Sequence, residues 1–176
     1  GIKDVRYPLL LRLGGALQTT PALWDLDVAL PADKKGTHMS RFVAWLNEGV
    51  AQDAALDATT LRERLAAMLA RLGAQEGRIE ARFGFFVNKR APVSGVQSLL
   101  DYQGRWIAET RGGMTSVWAE VAVPVKSLCP CSKEISDYGA HNQRSTVTIC
   151  AELKAPIEWH ELVRFAEDNA SGEVWA

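Results

Sequence analysis

The sequence has little from which to build a covalent or a bulk electrostatic scaffold. Three cysteines occur in 176 residues, two of them a single residue apart, which excludes the disulfide framework of small secreted domains. Charge is nearly balanced, 20 Lys and Arg against 21 Asp and Glu for a net charge of -1, and this argues against a nucleic-acid partner held by bulk electrostatics. No apolar run reaches the length of a membrane span, and the first residues show no succession of basic, apolar and small zones. The expectation is a cytoplasmic protein without a membrane partner. Low-complexity linkers and internal sequence repeats are also missing. At 47% hydrophobic residues, the chain can still bury the core of one or two small domains.

What is present is patterned. Val5 to Leu13 is densely apolar and ends at Gly14-Gly15; Thr20 to Leu30 alternates, with Trp24, Leu26, Val28 and Leu30 on one face and Asp25 and Asp27 on the other. These read as two antiparallel strands. Thr37 is placed to cap a helix with Met39, Phe42, Val43 and Leu46 on its apolar side. A second helix, capped by Thr59 or Thr60, carries Leu61, Leu65, Met68, Leu69 and Leu72 before Gly73 ends it. Beyond Gly77 the period becomes two, through Ile79, Ala81, Phe83, Phe85 and Val87. A strand from Val96 to Tyr102 is expected to resume over Arg105 to Thr110 after a turn at Gly104. Val117 to Val125 then starts the order again, Ser145 to Leu153 answers it, and Glu158 to Glu167 opens a further helix. The fold class is α+β, one and a half copies of a strand, strand, helix, helix, strand, strand unit. The first module is expected over 1–112 and the start of a second over 113–176.

The functional signal is concentrated between Ser127 and Ser145, S-L-C-P-C-S-K-E-I-S-D-Y-G-A-H-N-Q-R-S. Thiols, a histidine, charges and hydroxyls crowd a loop almost without apolar side chains, so it cannot be core. Cys129 and Cys131 flank Pro130, which holds their backbones near extended or turn geometry. A thiolate there suits zinc or ferrous iron, and His141 is placed to close on the same ion. With one C-x-C and one histidine in place of two ligand pairs, an open, catalytic type of site is favoured over a closed, structural one. Spacing alone leaves three alternatives: a metal site, an unmetallated nucleophilic cysteine, and a surface loop with incidental cysteines.

Other candidates lie upstream. His38, Ser40 and Arg41 begin the first helix, preceded by Lys34 and Lys35; free backbone N–H groups and the helix dipole favour an anion there, and a triphosphate fits. The plainer alternative is an ordinary solvated cap. Lys89 and Arg90 end a strand and are placed to join the same basic pocket, across a subunit boundary if need be. Lys133, Glu134 and Arg144 flank the loop. His160 reads as a surface residue, and Cys150 as a buried structural one.

The loop sequence, with K-G-T-H-M-S-R-F (Lys35 to Phe42), A-P-V-S-G (Ala91 to Gly95) and S-L-L-D-Y (Ser98 to Tyr102), resembles the prokaryotic GTP cyclohydrolase type IB family over essentially the whole chain. The resemblance implies the tunnelling fold, antiparallel four-stranded sheets with paired helices on one face, two modules per complete subunit and a homotetramer. It implies metal-dependent hydrolysis of GTP at C8, with loss of formate and formation of 7,8-dihydroneopterin triphosphate, the first step of tetrahydrofolate and pterin synthesis. Cys129 and His141 match metal-ligand positions, with zinc, manganese or Fe(II) as the divalent ion; His38, Ser40, Arg41, Lys89 and Arg90 are the expected substrate contacts. A metal-ligand glutamate, a guanine-binding glutamate and a late histidine motif are expected beyond Ala176. Two alternatives stay open: a tunnelling-fold reductase using a cysteine nucleophile on a purine-like substrate, and a non-catalytic metal-binding module.

Overall fold

The computed structural model describes residues 1–33, 35–51, 54–129, 131, 134 and 142–175. Within these the elements run β1 (Ile2–Leu13), β2 (Ala16–Val28), α1 (Met39–Ala51), α2 (Ala58–Leu72), β3 (Gly77–Arg90), β4 (Gln97–Arg111), β5 (Met114–Leu128), β6 (Asn142–Glu152), α3 (Trp159–Asp168) and β7 (Gly172–Glu173). The expected α+β class and element order are therefore present. One antiparallel sheet holds every strand, in the order β1-β2-β3-β4-β5-β6, with β7 paired to β5. The position 112/113 anticipated as a module boundary is the turn between β4 and β5, where Gly112 and Gly113 adopt φ of 57° and 77°. The sheet runs on across it without a break.

Alternation decides which face is covered. Trp24 and Leu26, Ile79 to Phe85, and Val117 to Val125 present every second side chain to one face, where α1, α2 and α3 pack. Burying these side chains contributes about 25 cal/mol per Å² of apolar area removed from water. The intervening residues form an opposite face of paired charge: Arg82 with Asp4 and Asp25, and Arg105 with Glu80 and Glu120.

Five local expectations change, the first being that Met39 and Val43, expected on the apolar side of α1, stand 48% and 46% exposed. Helix α2 is capped by Asp57, whose side chain accepts the Thr60 N–H at 2.7 Å; the threonines lie inside the first turn, and a carboxylate one residue before the helix is the better acceptor. Gly104 makes no turn but sits within β4. A Cβ there would stand 2.7 Å from the Phe83 ring, so the missing side chain makes room for an aromatic neighbour. Strand β2 ends at Val28, leaving Leu30 outside it and 44% exposed. Cys150 is exposed, because it is registered opposite Glu120 on the charged face of an outer strand. As expected, His160 is a surface residue, with Nδ1 2.9 Å from Glu158 Oε2.

Candidate functional site

Strand β5 outruns its neighbour. Its ladder with β4 stops at Gln103↔Ala122, whereas its ladder with β6 continues to Leu128↔Asn142. The edge thus vacated by β4 is taken by β7, at Val125↔Glu173 and Lys126↔Gly172. Ser171 Oγ accepts the Leu128 N–H at 3.3 Å and adds a further tie. The loop of 129–141 is therefore closed at its base by a paired couple, Leu128 and Asn142. Each of these adjoins in the chain one of the two expected ligands, Cys129 and His141. Cys129 is half-buried and Cys131 exposed; His141, with Lys133, lies outside the described residues. Opposed residues of an antiparallel pair point to one face, so Glu173 shares the helix-side face with Val125.

Beside this base is a cluster that sequence reading missed. Glu167, from the last turn of α3, is 4% exposed. It accepts the Tyr102 hydroxyl at 2.8 Å through Oε1 and the Lys89 ammonium at 2.5 Å through Oε2. The same ammonium donates to Glu173 Oε2 at 3.1 Å and lies 5.7 Å from the centre of the Trp175 ring. Burial, and then the hydrogen bond to Glu167 with the charges of Glu167 and Glu173, push the Tyr102 phenol well above its ordinary range. The end of β3 is thereby pinned to the C-terminal end of α3 and to β7, with partners 78 and 84 residues further along the chain.

The remaining candidates separate into two groups. Arg90 is at the same end of the sheet as this cluster, exposed, with Nε donating to Gly95 O at 3.3 Å. His38, Ser40 and Arg41 are all exposed and lie at the opposite end. Arg41 Nη1 donates to Arg71 O at 3.1 Å, in the last turn of α2, just before the start of β3. From Gly77 to Lys89 is on the order of 40 Å along β3 at about 3.3 Å per residue. The start of α1 and the end of β5 therefore lie at opposite ends of the sheet.

Among the described residues no three of His, Cys, Asp and Glu converge closely enough to hold a metal ion. The donor chemistry nevertheless fits a divalent ion at the end of β5. It comprises the half-buried Cys129 thiol immediately after the strand. No helix among the described residues is long and apolar enough to cross a membrane.

An antiparallel sheet carrying helices on one face, with a thiol-bearing polar loop at one end, defines a class of α+β proteins whose chemistry is built at strand ends. A model of the family described as type I GTP cyclohydrolase folE2 matches residues 1–176. The chain is 59% identical over 203 residues to the GTP cyclohydrolase FolE2 of Methylibium petroleiphilum, covering 99% of this chain and 68% of that one. With the protein of the same name from Paraburkholderia xenovorans it shares 59% identity over 176 residues, 99% of this chain and 65% of the relative. The corresponding figures for Burkholderia thailandensis are 57%, 99% and 64%. The chain belongs to the type I GTP cyclohydrolase folE2 family, and it spans about two thirds of the length of these curated relatives.

Proposed function

We propose that the chain carries the metal-binding part of a GTP cyclohydrolase, which opens the guanine imidazole ring of GTP by hydrolysis at C8. GTP and water then yield formate and 7,8-dihydroneopterin triphosphate. The observation that supports this reading, together with family membership, is the base of the 129–141 loop, where β5 pairs with β6 as far as Leu128↔Asn142, next in the chain to Cys129 and His141. Cys129 and His141 would hold the ion, with a further carboxylate completing the set as the resemblance implies. A divalent ion bound there would supply Lewis acidity, bringing the pKa of a water from 15.7 toward about 7; zinc, manganese and Fe(II) all suit a mixed sulfur, nitrogen and oxygen set.

The chain's own groups then have distinct tasks. Cys129 and His141 anchor the reacting end, and Cys131 lines the loop. His38, Ser40 and Arg41 with the free N–H groups of α1 offer a triphosphate subsite, and Arg90 adds positive charge near the loop. Lys89, already held between two carboxylates, is the least available of the basic candidates. Because the start of α1 and the end of β5 sit at opposite ends of the sheet, a complete GTP site would take them from different copies. This supports a homo-oligomer, with a homotetramer of tunnelling-fold modules as the form proposed. The outward edges of β1 and β6 offer backbone groups for such pairing. The division at 112/113 into two modules, a cytoplasmic location and a folate or pterin pathway belong to the same proposal.

The test is formate release from GTP with and without added manganese or zinc. Metal-dependent formate accompanied by a fluorescent oxidised pterin supports the reading. Metal-loaded protein that releases no formate, and that forms instead a mass adduct on Cys129 with a nicotinamide present, would replace it by the thiol-dependent reductase.

A further inference from the structure

Arg64, midway along α2, is held by α1 on more than one side. Its guanidinium carbon lies 4.0 Å from the centre of the Trp45 ring and 5.7 Å from that of Trp24. The Trp45 indole N–H donates to the Arg64 carbonyl at 2.9 Å, and Arg64 Nη2 returns a long bond to the Trp45 carbonyl at 3.4 Å. A Cβ on Gly49 would stand 2.0 Å from Arg64 Nη2 and 2.3 Å from Cζ. Glycine is unfavourable inside a helix, and the guanidinium explains its place here. Yet among the described residues this cation has no ion pair, since the neighbouring acid, Glu48, is taken by Arg71 at 2.6 Å. A guanidinium offers several N–H donors, and one long bond with a ring face leaves most of them unused. Burial pushes its pKa down to about 10, partly offset by the charge of Glu48, so the group stays charged at neutral pH.

Among the described residues, Arg64 is the one charged side chain lining a cavity of about 70 Å³ between α1, α2 and the first two strands. Its walls include the buried Leu9, Trp24, Leu46 and Leu56, with Thr19 the one hydroxyl residue. A dry cavity of about 150 Å³ holds benzene, so this one has room for roughly three or four heavy atoms. We propose that it is a binding site for a small monocarboxylate, of the size of formate or acetate, paired with Arg64 and resting its apolar end on the leucine and tryptophan walls. The planar fork of guanidinium donors matches a carboxylate, and a cation drawn out of water favours a partner of opposite charge. The apolar walls favour a methyl group over a hydrated inorganic anion. None of the residues used belongs to the 129–141 loop, so the inference stands apart from the reaction proposed above.

The experiment is saturation-transfer NMR of sodium acetate on the whole chain, titrated to give an affinity, with sodium chloride as competitor and melting recorded for every variant. Transfer to the acetate methyl is expected from the parent, and the affinity should fall about 10- to 100-fold in Arg64→Met, as for the loss of a charge-assisted hydrogen bond. Gly49→Ala, whose added methyl takes the place of the guanidinium, should lower it as well, and is read instead should Arg64→Met fail to fold. Cys129→Ala should leave acetate binding unchanged, which separates this site from an acetate held on a metal. Absence of transfer in the parent overturns the proposal, and so does an affinity that a folded Arg64→Met leaves intact. Displacement of acetate by an equal concentration of chloride would overturn the carboxylate assignment.

Discussion

The two ends of the sheet treat charge in opposite ways. At the end where β3 and β5 finish, Lys89, Glu167 and Tyr102 are drawn into the core and satisfy one another, with Glu173 at the margin. At the end where α1 begins, His38, Ser40 and Arg41 stand exposed, and Arg41 reaches only a backbone carbonyl. Buried ionic groups persist only when paired, because taking a charge out of water costs several kcal/mol. Exposed cations cost little and remain available to a partner. The first end is therefore suited to fix geometry, and the second to receive an anion from outside the chain. The homo-oligomer proposed above would bring the two ends together.

The largest effect expected from breaking this contrast is on turnover. Cys129→Ala or His141→Ala should abolish metal-dependent formate release while circular dichroism and melting stay near the parent, because the loop sequence carries almost no apolar side chains. Next comes Lys89→Met alone, which strands Glu167 at 2% exposure. Chemical denaturation should show a loss of about 3–5 kcal/mol, the usual result of removing one partner from a buried pair. A loss below 1 kcal/mol would mean that the pair is open to water.

A smaller effect is expected from pH. Tyr102 has a folded pKa raised above its unfolded value by burial and by Glu167. Its contribution is thus complete below the ordinary tyrosine range and is lost as pH rises above about 10. Urea unfolding at stepped alkaline pH should show that loss, and Tyr102→Phe should flatten it. Smallest is the stability change in Arg41→Ala, within about 0.5 kcal/mol as for an exposed residue. In the same variant KM for GTP should rise, and an unchanged KM would remove α1 from the substrate site.

Much of the fold was legible because its strands and helices each obey one period. Val117 to Val125 alternates strictly, Leu61 to Leu72 recurs at three and four, and both became what those spacings predict. Gly104 misled because a glycine reads as a turn from sequence, whereas its reason here is the Phe83 ring arriving from the neighbouring strand. Asp57 was passed over for two nearby threonines of the same capping class. The 129–141 loop stood out through its composition and the resemblance that it carries. Glu167, Glu173 and Tyr102 did not: each looks ordinary in its own segment, and only the pairing of β7 with β5 and the docking of α3 bring them to Lys89. Chemistry assembled from distant elements leaves no local spacing to read.

The central claim is that the end of β5 holds a divalent ion through Cys129, and the most direct test is cobalt(II) substitution followed by absorption spectroscopy. Stoichiometric cobalt with a thiolate-to-cobalt charge-transfer band, lost in Cys129→Ser and kept in Cys150→Ser, is the predicted result. A band that survives Cys129→Ser, or tightly bound cobalt without any thiolate band, would contradict it.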